Sequence, residues 1–159
     1  MKKILSILLI ALTLISLVSC SLFGAKEKEF EKSGLTITLT EDFYEKDHVS
    51  FTAAYDSSEV AVFTLKEEFK LLSGSSNLSL DEYAKLVIRN NNLTVDTKTK
   101  DDLTYFVFEK EANGKDLTYY AFVYKGSDAF WLVQMACERD DVSDCEKDIF
   151  KYAKSVVVE

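Results

Sequence analysis

Proline is absent from all 159 residues, and nothing in the sequence accounts for its absence. Histidine occurs once, at His48, tryptophan once, at Trp131, and glycine five times. A single histidine excludes any site built on two imidazoles, such as the H-E-x-x-H zinc helix. Ser-His-Asp chemistry would have to use His48, and no G-x-S-x-G elbow accompanies it. The few glycines form neither a G-x-G-x-x-G turn nor a Walker loop, so the common phosphate cradles are missing too. Basic residues are scarce: 19 Lys and Arg stand against 27 Asp and Glu, a net charge of −8, and only Arg89 and Arg139 are arginine. Such a chain lacks the clustered cations that neutralise nucleic-acid phosphates, so no nucleic-acid partner is expected. Nor is there an apolar run of about 20 residues, the length that spans a bilayer as a helix.

The longest apolar run, residues 4–18, follows Met1-Lys2-Lys3 and is interrupted by Ser6, Thr13 and Ser16. It suits the apolar region of a cleaved signal peptide better than a spanning helix. Leu17-Val18-Ser19-Cys20 closes it, and the whole resembles a bacterial lipoprotein signal: basic start, apolar middle, lipobox cysteine. The resemblance implies cleavage before Cys20, with diacylglycerol and fatty acyl (palmitate) chains on the mature terminus. An uncleaved membrane helix, or a signal whose cysteine is accidental, is the alternative. Two or more acyl chains anchor a protein stably where one does not. The expected organisation is a signal peptide at 1–19, a tether at 20–29 and a single domain at 30–159, extracytoplasmic and lipid-anchored to the bacterial cell membrane. Removing residues 1–19 takes away two lysines and no acid, so the charge becomes −10. Anionic lipid would then not hold the protein by charge, and the lipid on Cys20 must.

Cys137 and Cys145 remain, in a compartment where disulfides persist. Cys137 ends a strand and Cys145 lies in the first turn of the next helix. A disulfide between them is the reading adopted, with two buried thiols as the alternative; closing so short a loop would stabilise by about 2.5 kcal/mol. The seven-residue gap fits neither a zinc pair nor a redox pair.

Alternation at residues 35–40, three apolar against three threonines, predicts a half-buried strand. Strands are also expected at 50–55 and 59–65, joined by Asp56-Ser57-Ser58. Residues 66–78 allow a short helical turn before a flexible loop. Ser79-Leu80-Asp81-Glu82 is a capping box that opens a helix running to about Asn91. Residues 93–100 read as a weak strand. Three strong strands follow at 103–109, 117–124 and 129–137, the first two joined through Asn113-Gly114, a favoured tight-turn pair. The last is apolar on both faces except at Gln134, so both faces of the sheet must be covered there. Ser143-Asp144-Cys145-Glu146 reads as a second capping box before a closing helix. Residues 156–158 would finish as a strand. The order of elements gives an α+β fold with a mainly antiparallel sheet.

The stretch Gly34 to Thr40 with Phe43 behind it, the helix start Ser79-Leu80-Asp81-Glu82-Tyr83-Ala84, the aromatic meander and the closing Phe150-Lys151-Tyr152-Ala153-Lys154-Ser155-Val156 resemble the PsbP-like superfamily. That superfamily includes a photosystem protein, a yeast Ran-binding protein and bacterial DcrB-like lipoproteins. Thr40 stands where many of its members have proline. The resemblance implies an α/β/α sandwich, a sheet of about six strands covered by helices on both faces. It also implies a binding or assembly role without catalysis, and no cofactor.

Other candidate residues have plain structural readings. Glu138, Asp140, Asp141 and Asp144 form an acidic loop that lacks the glycine of a calcium loop; a solvated, helix-capping cluster is expected, and no metal site. Tyr119, Tyr120, Tyr124, Phe130 and Trp131 could line a ligand groove or form core, and core is the reading adopted, with Tyr44 and Tyr55 the expected exposed rings. No catalytic residue is assigned. The function expected is a non-enzymatic binding or assembly factor for an unknown envelope protein; a small-ligand or metal-ion binding module is the alternative.

Overall fold

A computed structural model describes residues 26–72 and 75–159. The lipobox and Cys20 lie outside them.

In chain order the elements are β1 (Glu27–Lys32), β2 (Leu35–Thr40), β3 (Tyr44–Glu45), β4 (Ala53–Asp56), β5 (Ala61–Glu68), α1 (Leu80–Asn90), β6 (Lys98–Lys100), β7 (Leu103–Ala112), β8 (Lys115–Lys125), β9 (Ala129–Glu138), α2 (Val142–Ser155) and β10 (Val157–Val158). Seven strands form one sheet in the order β3-β4-β5-β9-β8-β7-β6, and β1-β2-β10 form a second, small sheet. Every pairing is antiparallel. The expected α+β class and meander are therefore present, with one more strand in the main sheet than expected. The alternating segment 35–40 does not join that sheet. It forms the middle of the small one, its apolar face of Leu35, Ile37 and Leu39 fully buried.

Several boundaries differ from the sequence reading. Among the described residues pairing begins at Glu27, three residues inside the segment read as tether, because Glu27 to Lys32 find partners on β2. β5 continues to Glu68, carried by its ladder with β9, and a 3₁₀ turn occupies Ser75–Asn77. Of residues 93–100 only Lys98–Lys100 pair. The turn at Asn113-Gly114 forms as its residues dictate, both with positive φ (56° and 76°). The first capping box is complete, Ser79 and Glu82 bonding each other's backbone N–H. The second does not form: α2 starts at Val142 behind a 3₁₀ turn, with Asp141 at the cap and no side-chain cap bond. Starting the helix two residues earlier places Ser143 inside its first turn, where its hydroxyl meets the Asp144 carboxylate instead.

The two faces of the main sheet carry separate cores. On one, α2 and the small sheet pack over Trp131, Val133, Met135, Tyr120 and Phe122, and Trp131 is 0% exposed. On the other, α1 packs Tyr83, Ala84, Val87 and Ile88 over Phe106, Ala121, Val123, Phe130 and Leu132. Tyr83 stacks on Phe130 with centroids 4.2 Å apart and donates its hydroxyl to Glu67. Each fully buried apolar side chain contributes about 1.5–3 kcal/mol. β9 is thus sandwiched on both faces, as its continuous apolar run required. The Glu159 backbone ties the edges together, donating to the Gly34 carbonyl (2.9 Å) and accepting from the Ser127 N–H (2.8 Å). A Cβ at Gly126 would overlap the Glu159 carbonyl, which is why that turn needs glycine.

Candidate functional site: an aromatic groove beside the first helix

Cover on the α1 face stops halfway. The helix has 11 residues, about 16 Å at 1.5 Å per residue. The strands beneath it have 10 or 11, about 33 Å or more. It covers the level of Val123 and Leu132 and, one level on, Ala121 and Phe106, but leaves Phe63 and Gln134 of that level half-buried. There the pleat places side chains from four strands in one row. Phe63 pairs with Gln134, Gln134 with Ala121, and Ala121 with Phe106. One level further, Tyr119 pairs with Phe108 and their rings stack at 4.9 Å.

The result is a groove of about 460 Å³. Gln134 and Tyr119 lie in its floor. Val87, Asn91 and Leu93 at the end of α1 form one wall. Phe51 and His48, from the loop before β4, form another, and Lys110 on β7 closes the far end. The loop ring system is compact: His48 to Phe51 is 4.8 Å and Phe51 to Phe63 is 4.9 Å. His48 Nδ1 accepts the Ser50 N–H (3.3 Å), so the neutral ring carries its proton on Nε2. Val49 beside it is 106% exposed, extending the apolar surface outward. Burial pushes the Tyr119 hydroxyl up, keeping it a neutral phenol.

Two polar groups in the lining stand out. Gln134 is half-buried, and its carboxamide has no hydrogen-bond partner among the described residues. Lys110 is exposed and makes no ion pair with any described residue. Among the described residues no carboxylate lines the groove. The Lys110 amine and the His48 imidazole stand at opposite ends of the aromatic trough, one on β7 and the other in the loop before β4.

The structure places the other candidates as follows. Tyr120, Phe130 and Trp131 are core, and Tyr124 is packed against it with its hydroxyl on the Ala153 carbonyl (2.8 Å). Tyr44 is 58% exposed, as expected, but Tyr55 is only 1% exposed. The small sheet accounts for that correction, since Phe30 from β1 lies 4.8 Å from the Tyr55 ring. Cys137 and Cys145 are brought together and buried, here as free thiols, one hydrogen-bonded to the other. Burial first, and the neighbouring Cys145 second, push the Cys137 thiol up to about 12; burial also raises Cys145. Neither is a thiolate nucleophile at neutral pH. In the acidic loop Glu138 pairs with Lys115, and no group of three His, Cys, Asp or Glu able to hold a metal ion occurs among the described residues. Sequence reasoning missed Phe51, Phe63, Phe108, Lys110 and Asn91. The one available signal was Gln134, the only polar interruption of β9.

No protein-family model and no curated protein matches the chain. Solved structures do share its fold. Cyanobacterial PsbP (CyanoP) from Synechocystis superposes with a TM-score of 0.51 at 10% identity, covering 90% of this chain and 99% of that one. The Saccharomyces cerevisiae Ran-binding protein Mog1p gives 0.55 at 10% identity, covering 85% and 96%. A Bacteroides thetaiotaomicron protein gives 0.55 at 7% identity, with this chain spanning 86% of itself and 49% of that protein. The architecture is therefore the α+β fold of the PsbP and Mog1p structures. At these identities the likeness extends to fold alone.

Proposed function

We propose that this chain is a non-enzymatic binding or assembly factor, anchored outside the cytoplasm through lipid on Cys20, whose aromatic groove engages another component of the envelope. The observation that carries the reading is the half-bare α1 face. Several large rings stay accessible there although a longer helix would have covered them, and accessible aromatics in a preformed trough are what binding faces use. The lipobox supports the address, and the fold shared with a Ran-binding protein is compatible with a binding role. A groove of this volume also falls in the range of small-molecule sites, so a small ligand is the second reading.

A photo-crosslinking residue in place of Tyr119 tests the face in intact cells. A discrete crosslinked product is expected from position 119 and none from Glu29, exposed on β1. Product from neither position, with the variant folded, removes the groove as the contact face. The anchor is tested separately: the native protein should partition into detergent and Cys20→Ala should not. Equal partitioning removes the lipid.

A further inference from the structure

We infer that the groove holds an extended peptide segment of a partner protein, apolar in its body and carrying an acidic residue at the Lys110 end. This rests on the groove being the contact face. Charge supplies the first argument. The chain carries −8, yet among the described residues no carboxylate lines the groove. The other cavities described all have at least one: Glu41 and Asp148 in one, Glu67 in the next, Asp101 and Glu146 in the third. Keeping acids out of this one trough and leaving Lys110 unpaired in it makes the site complementary to an anionic group.

Gln134 decides what the body of the ligand is. A pure hydrocarbon chain would cover its carboxamide and leave a donor and an acceptor without partners, which is unfavourable. A peptide unit offers one N–H and one C=O and satisfies both sides of the amide. Dimensions agree. From Phe63 on β5 to Phe108 on β7 the groove crosses three strand spacings, about 14 Å, the length of about four extended residues. Apolar side chains of such a segment meet Phe51 and Phe63 at one end and Tyr119 and Phe108 at the other, with a peptide unit over Gln134 between them.

The test uses the full chain in phosphatidylcholine nanodiscs, panned with a phage library of random twelve-residue peptides after removal of binders to empty nanodiscs. Enrichment of peptides that join apolar residues to Asp or Glu is expected. Lys110→Glu, a change at an exposed position, should weaken them by about tenfold or more and select Lys- or Arg-bearing peptides instead. Gln134→Leu should weaken the original peptides while keeping their preference for acid. Enriched peptides that ignore charge at position 110, or no enrichment at all, overturn the inference. So does dodecanoate, below its micelle concentration, binding in a Lys110-dependent way where no peptide does. A crosslink from position 119 in cells without peptide enrichment would leave the binding role standing and remove only the peptide segment. Unchanged melting temperatures of both variants show that either result reports on the groove.

Discussion

The two faces of the main sheet are made by the same strands and are almost equally apolar, yet they have been finished differently. The α2 face is closed twice over, by a 14-residue helix and by the small sheet, and its large side chains reach zero exposure. The α1 face has one 11-residue helix, and Phe51, Phe63, Phe108 and Tyr119 beside it are only half-buried. The difference teaches that apolar character alone does not mark core: what separates core from contact surface here is the length of the element laid over it. On the reading proposed above, closing the α2 face leaves the α1 face free to be shaped for a partner.

Truncation on each face gives the largest contrast. Phe122→Ala, under α2, should lose about 3–5 kcal/mol by urea unfolding. Phe63→Ala, in the groove, should lose less than about 1 kcal/mol, close to an ordinary surface change. Equal losses would mean that the groove is core after all. The helices themselves differ next. Ser79→Ala removes a complete capping box and should lower stability by about 1 kcal/mol, with faster amide exchange across α1. Ser143→Ala makes no difference to α2, since Ser143 makes no backbone cap bond there. The smallest effect vanishes at neutral pH. Cys137 is raised from 9.0 to about 12 and Tyr55 from 10.0 to about 12, chiefly by burial, and both belong to the α2-side core. A raised folded-state value means the unfolded chain gives up its proton first, so this stability is fully present below the unfolded values and is lost as pH rises toward 12. Stability should therefore begin to fall above about pH 9. If the thiols are oxidised to a disulfide the cysteine part disappears and the fall begins nearer pH 10, at Tyr55. A pH series of melting curves with and without reductant reads this directly.

Local chemistry was the legible part of the fold. Asn113-Gly114, the Ser79 box and the alternation at 35–40 each specify their own geometry within a few residues. Pairing across distance was not legible. Nothing in Leu35 to Thr40 says that these residues join β1 and β10 rather than the main sheet, because a half-buried strand alternates identically in either place. Tyr55 was misjudged for the same reason: its cover, Phe30, comes from that separate sheet. The groove was legible only as a single irregularity at Gln134. Tyr119 read as core because its strand position is a core position, and the end of α1 that leaves it, Phe63 and Phe108 half-open is a matter of length, not of residue type. The charge of Lys110 carried no signal at all among 19 basic residues.

The small sheet also imposes an order of events. Its first two strands are adjacent in the chain, but β10 lies more than a hundred residues beyond them, and the Gly34 carbonyl and the Ser127 N–H both wait for Glu159. Contacts over more than a hundred residues are the slow ones in folding. A chain interrupted before Val157 would keep its meander and still leave β2 with an open edge. The seam thus closes only once Val157 to Glu159 are in place, whatever else has already folded.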